Sequence, residues 1–138
     1  MAQPAALPVV FVVDRDRTSL AALVSDLTRR FGNDFRVVGE TAADAAYAAL
    51  REIAAANEPV ALLVVDDATS DLLARAHQLH RHAKRVLLVD RDYSARSPAV
   101  QAMTLGRVDY HIVRPWADDE MMYRAMSEYL SSWTREQQ

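Results

Sequence analysis

The sequence predicts an α/β domain built on a parallel β-sheet, and three observations carry that prediction. Short apolar runs rich in β-branched residues alternate five times with segments of helical periodicity. The run VALLVV at residues 60–65 is apolar at every position, as expected of a central strand covered on both faces. Three of the runs end abruptly in an acid: VVDRDRTS at 12–19, LVVDDATS at 63–70 and LVDRDYS at 88–94. Polar residues of this kind mark the corners where strands give way to helices.

Each element follows in order. PVVFVV at 8–13 reads as a buried strand. Asp16 can cap a helix carrying Leu20, Leu23, Val24, Leu27 and Phe31 at helical spacing, with a stop at Gly32. Residues 35–38 form a second strand. Thr41 and Asp44 resemble a capping box that opens the Ala-rich helix 41–57, ended by the turn before Pro59. After the central strand 60–65, Thr69 or Ser70 can cap a helix with Leu72, Leu73, Ala76 and Leu79 inward. RVLLV at 85–89 is the fourth strand. Ser97 and Pro98 suit a cap and a first helical position, opening a helix with Val100, Met103 and Leu105 that stops at Gly106. A fifth strand at 108–113 and a last helix from about 118 to 133 complete the alternation.

Composition narrows the function. The 138 residues suit one domain with a single core, spanning 1–138 with the core at about 8–134. At 51% hydrophobic and 25% charged the chain is globular. A net charge of −3 argues against a nucleic-acid binder that works through a general basic field. The absence of Cys excludes disulfides, thiolate metal sites and thiol catalysis. No apolar run approaches membrane-spanning length and residues 1–10 carry no basic leader, so a soluble cytoplasmic protein is expected, with neither nucleic acid nor membrane as partner.

The three acids then acquire a meaning. In an open parallel sheet the functional crevice lies outside the carboxyl ends of the strands, at the point where strand order reverses. A flavodoxin-like (βα)5 doubly wound sheet of order 2-1-3-4-5 makes strands one, three and four neighbours. Asp14, Asp66 and Asp90 would converge there, and their mutual repulsion needs a cation, a proton or an Arg to offset it.

These residues resemble a response-regulator receiver domain, CheY-like, from Val9 to about Trp133. PVVFVVDRD resembles the first strand with its acidic pair. EPVALLVVDD resembles the third strand with its phosphoacceptor, which falls on Asp66; AKRVLLV and DYHIVRPW resemble the fourth and fifth strands, the latter with its Lys-Pro dipeptide. RRFGNDFRV, EPVALLV, AKRVLL and RPW look closest to receivers fused ahead of thioredoxin-reductase-like flavoproteins. The resemblance implies two-component signal transduction by phosphorelay. A carboxylate takes a phosphoryl group from a partner, Mg²⁺ held by Asp14 and Asp66 neutralises oxygen charge, and a Lys and a hydroxyl grip the phosphoryl oxygens.

The chain departs from that pattern in several places. Arg15 stands at the second acid, and a guanidinium cannot ligate a metal. Asp16 suits the helix cap better than a metal. Val89 stands at the switch hydroxyl, for which Thr69, Ser70 or Ser94 could substitute only if loop geometry permits. His111 stands at the switch aromatic. Arg114 replaces the Lys as phosphoryl clamp or salt-bridge partner. DATSD at 67–71 is short and lacks the Met-Pro-x-x-x-Gly pattern.

The expectation is a degenerate receiver, a pseudo-receiver in which Arg15 and Arg114 pair with Asp14 and Asp66 and Mg²⁺ has lost its place. Such a domain is a regulatory interaction module rather than an enzyme. The alternative is a working receiver phosphorylated on Asp66. Partners would be a histidine kinase, an output domain or the fused flavoprotein. A homodimer through the last helix is a further expectation, with Met122, Tyr129 and Trp133 at the contact.

Other constellations are weaker. His77 and His80 lie one helical turn apart, yet with no suitably spaced carboxylate they read better as a solvated helix end than as a metal site. Asp14 and Asp16 have the spacing of haloacid-dehalogenase-like phosphatases, but no matching Lys and terminal acidic pair accompanies them. With no Gly in VVDRDRTS and no G-x-S-x-G, nucleotide-loop and serine-hydrolase readings fail.

Overall fold

The computed structural model describes residues 7–66, 69, 71–90, 108–114 and 118–137. Five strands, β1 (Val9–Val13), β2 (Arg36–Glu40), β3 (Val60–Asp66), β4 (Lys84–Asp90) and β5 (Tyr110–Arg114), form one sheet of order β2-β1-β3-β4-β5. Every neighbouring pair is parallel. Helices α1 (Arg17–Phe31), α2 (Ala43–Ala55), α3 (Asp71–Leu79) and α4 (Asp119–Glu136) accompany them. The helix expected to start at Ser97 and Pro98 and stop at Gly106 lies outside the described residues, as do Ser70, Ser94, Pro115 and Trp116.

Strand alternation sorts the core into two faces, because successive side chains point to opposite sides of a sheet. Val9, Phe11, Val13, Leu63, Val65, Leu87 and Val89 pack against Ala46, Leu50 and Ile53 of α2 and Leu72, Leu73 and Ala76 of α3. Val10, Val12, Leu62, Val64, Val86 and Leu88 face Leu23 and Leu27 of α1 and the apolar side of α4. All of β1 and β3 is therefore buried, which is why their sequences are apolar without alternation. β2 runs close to α1 at Gly39, where an added Cβ would sit 2.7 Å from Val24 Cγ2.

The helix ends divide into those with side-chain caps and those without. Asp16 accepts the N–H groups of Thr18 and Ser19 and so caps α1, as its sequence position predicts. The Thr41–Asp44 capping box does not form: α2 starts after Ala42 with no side-chain cap bond. Its other end is closed by Asn57, whose φ of 58° lets Glu58 N–H reach back to Ile53 O.

The last helix corrects an expectation. Met122 and Trp133, expected at a contact face, are 4% and 5% exposed and belong to the core. Met122, Met126, Leu130 and Trp133 recur at steps of four, four and three and form one inward stripe, with Tyr123 beside it. The helix needs so broad a stripe because it shares with α1 the covering of an entire sheet face. Tyr129 is half-buried and stacked on Tyr110 of β5, ring centroids 3.7 Å apart. Met121, at 68%, is the exposed apolar side chain of this helix. Among the described residues no helix is long and apolar enough to cross a membrane.

Asp16→Ala should lower unfolding free energy by about 1 kcal/mol in urea titrations, from the lost cap. Thr41→Ala should change it by no more than about 0.5 kcal/mol, as for a surface site without special contacts. Leu62→Ala, cutting a cavity beneath the centre of the sheet, should cost about 2–5 kcal/mol.

Candidate functional site

Asp14 leaves β1 one residue after Val13, and Val13 pairs with Val65, so Asp14 and Asp66 emerge side by side at the carboxyl edge of the sheet. They are the buried charged residues among those described, with exposures of 1% and 2%. Both continue the alternation that sends Val12 and Val64 toward α1 and α4, and so does Arg114 after Ile112.

Burying a carboxylate raises its pKa unless donors hold the charged form. At Asp14 burial does push upward, but hydrogen bonds from Ser19 and the Asp16 N–H (3.0 Å), together with the Arg114 guanidinium, outweigh it and hold the carboxyl below the ordinary 3.8. Arg114 Nη1 donates to Asp14 Oδ2 at 2.8 Å and lies 3.4 Å from Ser19 Oγ. The pair is well screened from water, the arginine side chain being 19% exposed. Arg114 starts from the edge strand and reaches past two intervening strands to the end of β1. A long side chain is required for that span.

Asp66 is held differently. Its Oδ1 accepts the N–H and the hydroxyl of Thr69, both at 2.9 Å, and its Oδ2 accepts the backbone N–H of Arg15 at 2.7 Å. The Arg15 side chain adds little: its Nε stands 3.9 Å from Oδ2 and the side chain is 68% exposed, a geometry typically worth less than about 1 kcal/mol. The expected pairing of two arginines with two acids is thus realised by a guanidinium at Asp14 and chiefly by a backbone N–H at Asp66.

Two sequence expectations need correction or completion. Val89, expected at the switch position, is buried against α2 and α3 on the opposite side of the sheet from Asp66 and Arg114. The residue paired with Arg114 in the β4–β5 register is Asp90. A shift of one residue along a strand changes the face, so no side chain at Val89 could present a hydroxyl to Asp66. His111 is exposed on β5. Ser19, which sequence reading left unassigned, belongs to the site; its signal was the TS pair one turn beyond Asp14. Thr69 does meet Asp66, as one of the hydroxyls considered for that role.

The Mg²⁺ implied by the receiver pattern does not suit these residues. Arg15 supplies no ligand, Asp16 spends its carboxylate on the α1 cap, and an oxygen of Asp14 is taken by a guanidinium. Among the described residues no group of three or more His, Cys, Asp or Glu is placed to hold a metal ion.

No protein-family model matches the chain, and no curated protein matches it in sequence. Solved structures do. The signal receiver domain of an HD domain-containing protein from Pseudomonas fluorescens Pf-5 superposes with a TM-score of 0.72 at 21% identity, over 99% of this chain and 96% of that one. A CheY-like response regulator receiver domain protein from Methanospirillum hungatei JF-1 gives 0.71 at 20% identity, over 95% and 99%. The fold is the receiver fold. NtrX from Brucella abortus, solved in complex with ATP, matches 94% of this chain with 28% of its own length, TM-score 0.71 and 18% identity. In all three the likeness extends along nearly the whole of this chain, so the receiver fold accounts for all five strands.

The depressed pKa of Asp14 fixes the sign of a pH effect. Its contribution to stability is present above the ordinary carboxylate value and is lost as pH falls through the lowered folded value. The urea midpoint should therefore drop as pH falls below the ordinary carboxylate value of 3.8, and Asp14→Asn should flatten that part of the profile.

Proposed function

We propose that the chain is a receiver-type regulatory module of cytoplasmic signal transduction, one that acts by binding a protein partner and not by conventional phosphorylation of Asp66. The observation that carries this reading is the state of the two acids. Arg114 grips Asp14 at 2.8 Å, while three donors from Arg15 and Thr69 saturate much of Asp66. An attacking carboxylate needs a free lone pair and a cation to shield the incoming phosphoryl oxygens. A guanidinium in place of the second acid opposes a divalent ion. Partner candidates are those of receiver domains in general: a histidine kinase, an output domain or a fused flavoprotein.

A second reading keeps Asp66 as phosphoacceptor. The Thr69 hydroxyl and the Arg15 N–H favour it, since the same donors could turn to phosphoryl oxygens once Asp66 carries an acyl phosphate.

The two readings separate in one experiment. The chain is incubated with acetyl phosphate and Mg²⁺ and its intact mass recorded. No phosphoryl adduct is expected at times that fully label an ordinary receiver. An adduct that disappears in Asp66→Ala would establish the second reading.

A further inference from the structure

We infer that Arg114 is the built-in cation of this domain: its guanidinium does permanently what a divalent ion does transiently in a metal-dependent receiver site. The inference rests on the receiver reading of the site and specifies how that site is held in one state.

Charge balance is the starting point. Asp14 and Asp66 are 1% and 2% exposed and leave neighbouring strands. Two carboxylates taken out of water at adjacent strand ends repel one another, and hydrogen bonds from neutral groups offset only part of that cost. A full positive charge is needed close by. Arg15 is a poor source, 3.9 Å away at its nearest and largely in solvent, where water screens it. Arg114 is the good source: 2.8 Å from Asp14, mostly buried, and donating also to Ser19.

Ligand chemistry then explains why the guanidinium and a metal ion exclude each other. Mg²⁺ requires oxygen ligands in near-octahedral array and usually takes one or two carboxylates with water. Asp16, the next acid along the chain, is committed to the N–H groups of Thr18 and Ser19. Among the described side chains that leaves Asp14 and Asp66, and one Asp14 oxygen already accepts from Arg114. A cation entering there would have to displace a tethered charge that cannot diffuse away. With Arg114 neutralised, the same two carboxylates become an uncompensated anionic pair open to a hard divalent ion.

Arg114 is also placed to make this state structural. It belongs to edge strand β5, whose Tyr110 stacks on Tyr129 of α4, and it anchors that strand to the end of β1. A mobile ion would tie the edge to the centre only while bound. The arginine ties it always.

The test compares thermal unfolding with and without Mg²⁺ at matched ionic strength. The unaltered chain should melt at the same temperature in both. Arg114→Met, which keeps length and removes charge, should melt lower without metal and gain about 5 °C when Mg²⁺ is added well above its dissociation constant. Should Arg114→Met fail to fold, Arg114→Gln, which removes the charge and keeps a polar side chain of comparable shape, should show the Mg²⁺ gain instead. A comparable Mg²⁺ stabilisation of the unaltered chain would overturn the inference, and so would indifference to Mg²⁺ in every variant that folds. Phosphoryl labelling of the unaltered chain bears on the proposed function, whereas these melts bear on Arg114, so either idea can fail without the other.

Discussion

Everything at the functional edge follows from having two carboxylates buried where adjacent central strands end. A parallel sheet covered on both faces offers water only at its ends, and Asp14 and Asp66 lie there with almost no exposure of their own. Folding must provide them with donors. It does so from four separate places: the backbone after β1, the first turn of α1, the corner after β3, and the edge strand β5. Each donor is local to its own element, but the acceptors are shared, so the carboxyl ends of β1, β3 and β5 are tied together through these two side chains.

The way the charge is balanced sets what the site can do. An exchangeable ion gives such a site two states and hence the makings of a switch. A guanidinium carried on the chain cannot leave, and the balance it provides favours a single arrangement. Thr69 works in the same direction, since its hydroxyl and N–H both donate to Asp66. Under the function proposed above, such a domain suits constitutive recognition better than a cycle of modification. The solved neighbours, at about one-fifth identity, share the fold while leaving room for such a change in chemistry.

How much could be read from the chain depended on how local the cause was. The strands were legible because complete burial on both faces makes β1 and β3 apolar throughout. Asp16 was legible as a cap because its acceptor serves N–H groups two and three residues away. Thr41 had the same pattern without the outcome, as α2 starts one residue later and needs no side-chain cap. The Met and aromatic residues of α4 looked too numerous for one stripe. They fit because that helix covers a broad piece of sheet, which depends on the neighbouring strands and not on the helix itself. Val89 was misplaced by a single step of strand alternation, and one step is enough to move a side chain to the other face.

The sequence by itself determined the α/β class, the five strands along the chain, and the presence of acids at strand ends with arginines at Arg15 and Arg114. These follow from periodicity and residue type, which neighbouring residues already encode. Only the tertiary structure decided which donor meets which acid: Arg114 with Asp14 across a separation of 100 residues, and the Arg15 backbone, not its side chain, with Asp66. The reason is that an ion pair depends on the distance between two groups in space. That distance is set by strand order, register and the face each residue takes, none of which a run of residues contains on its own.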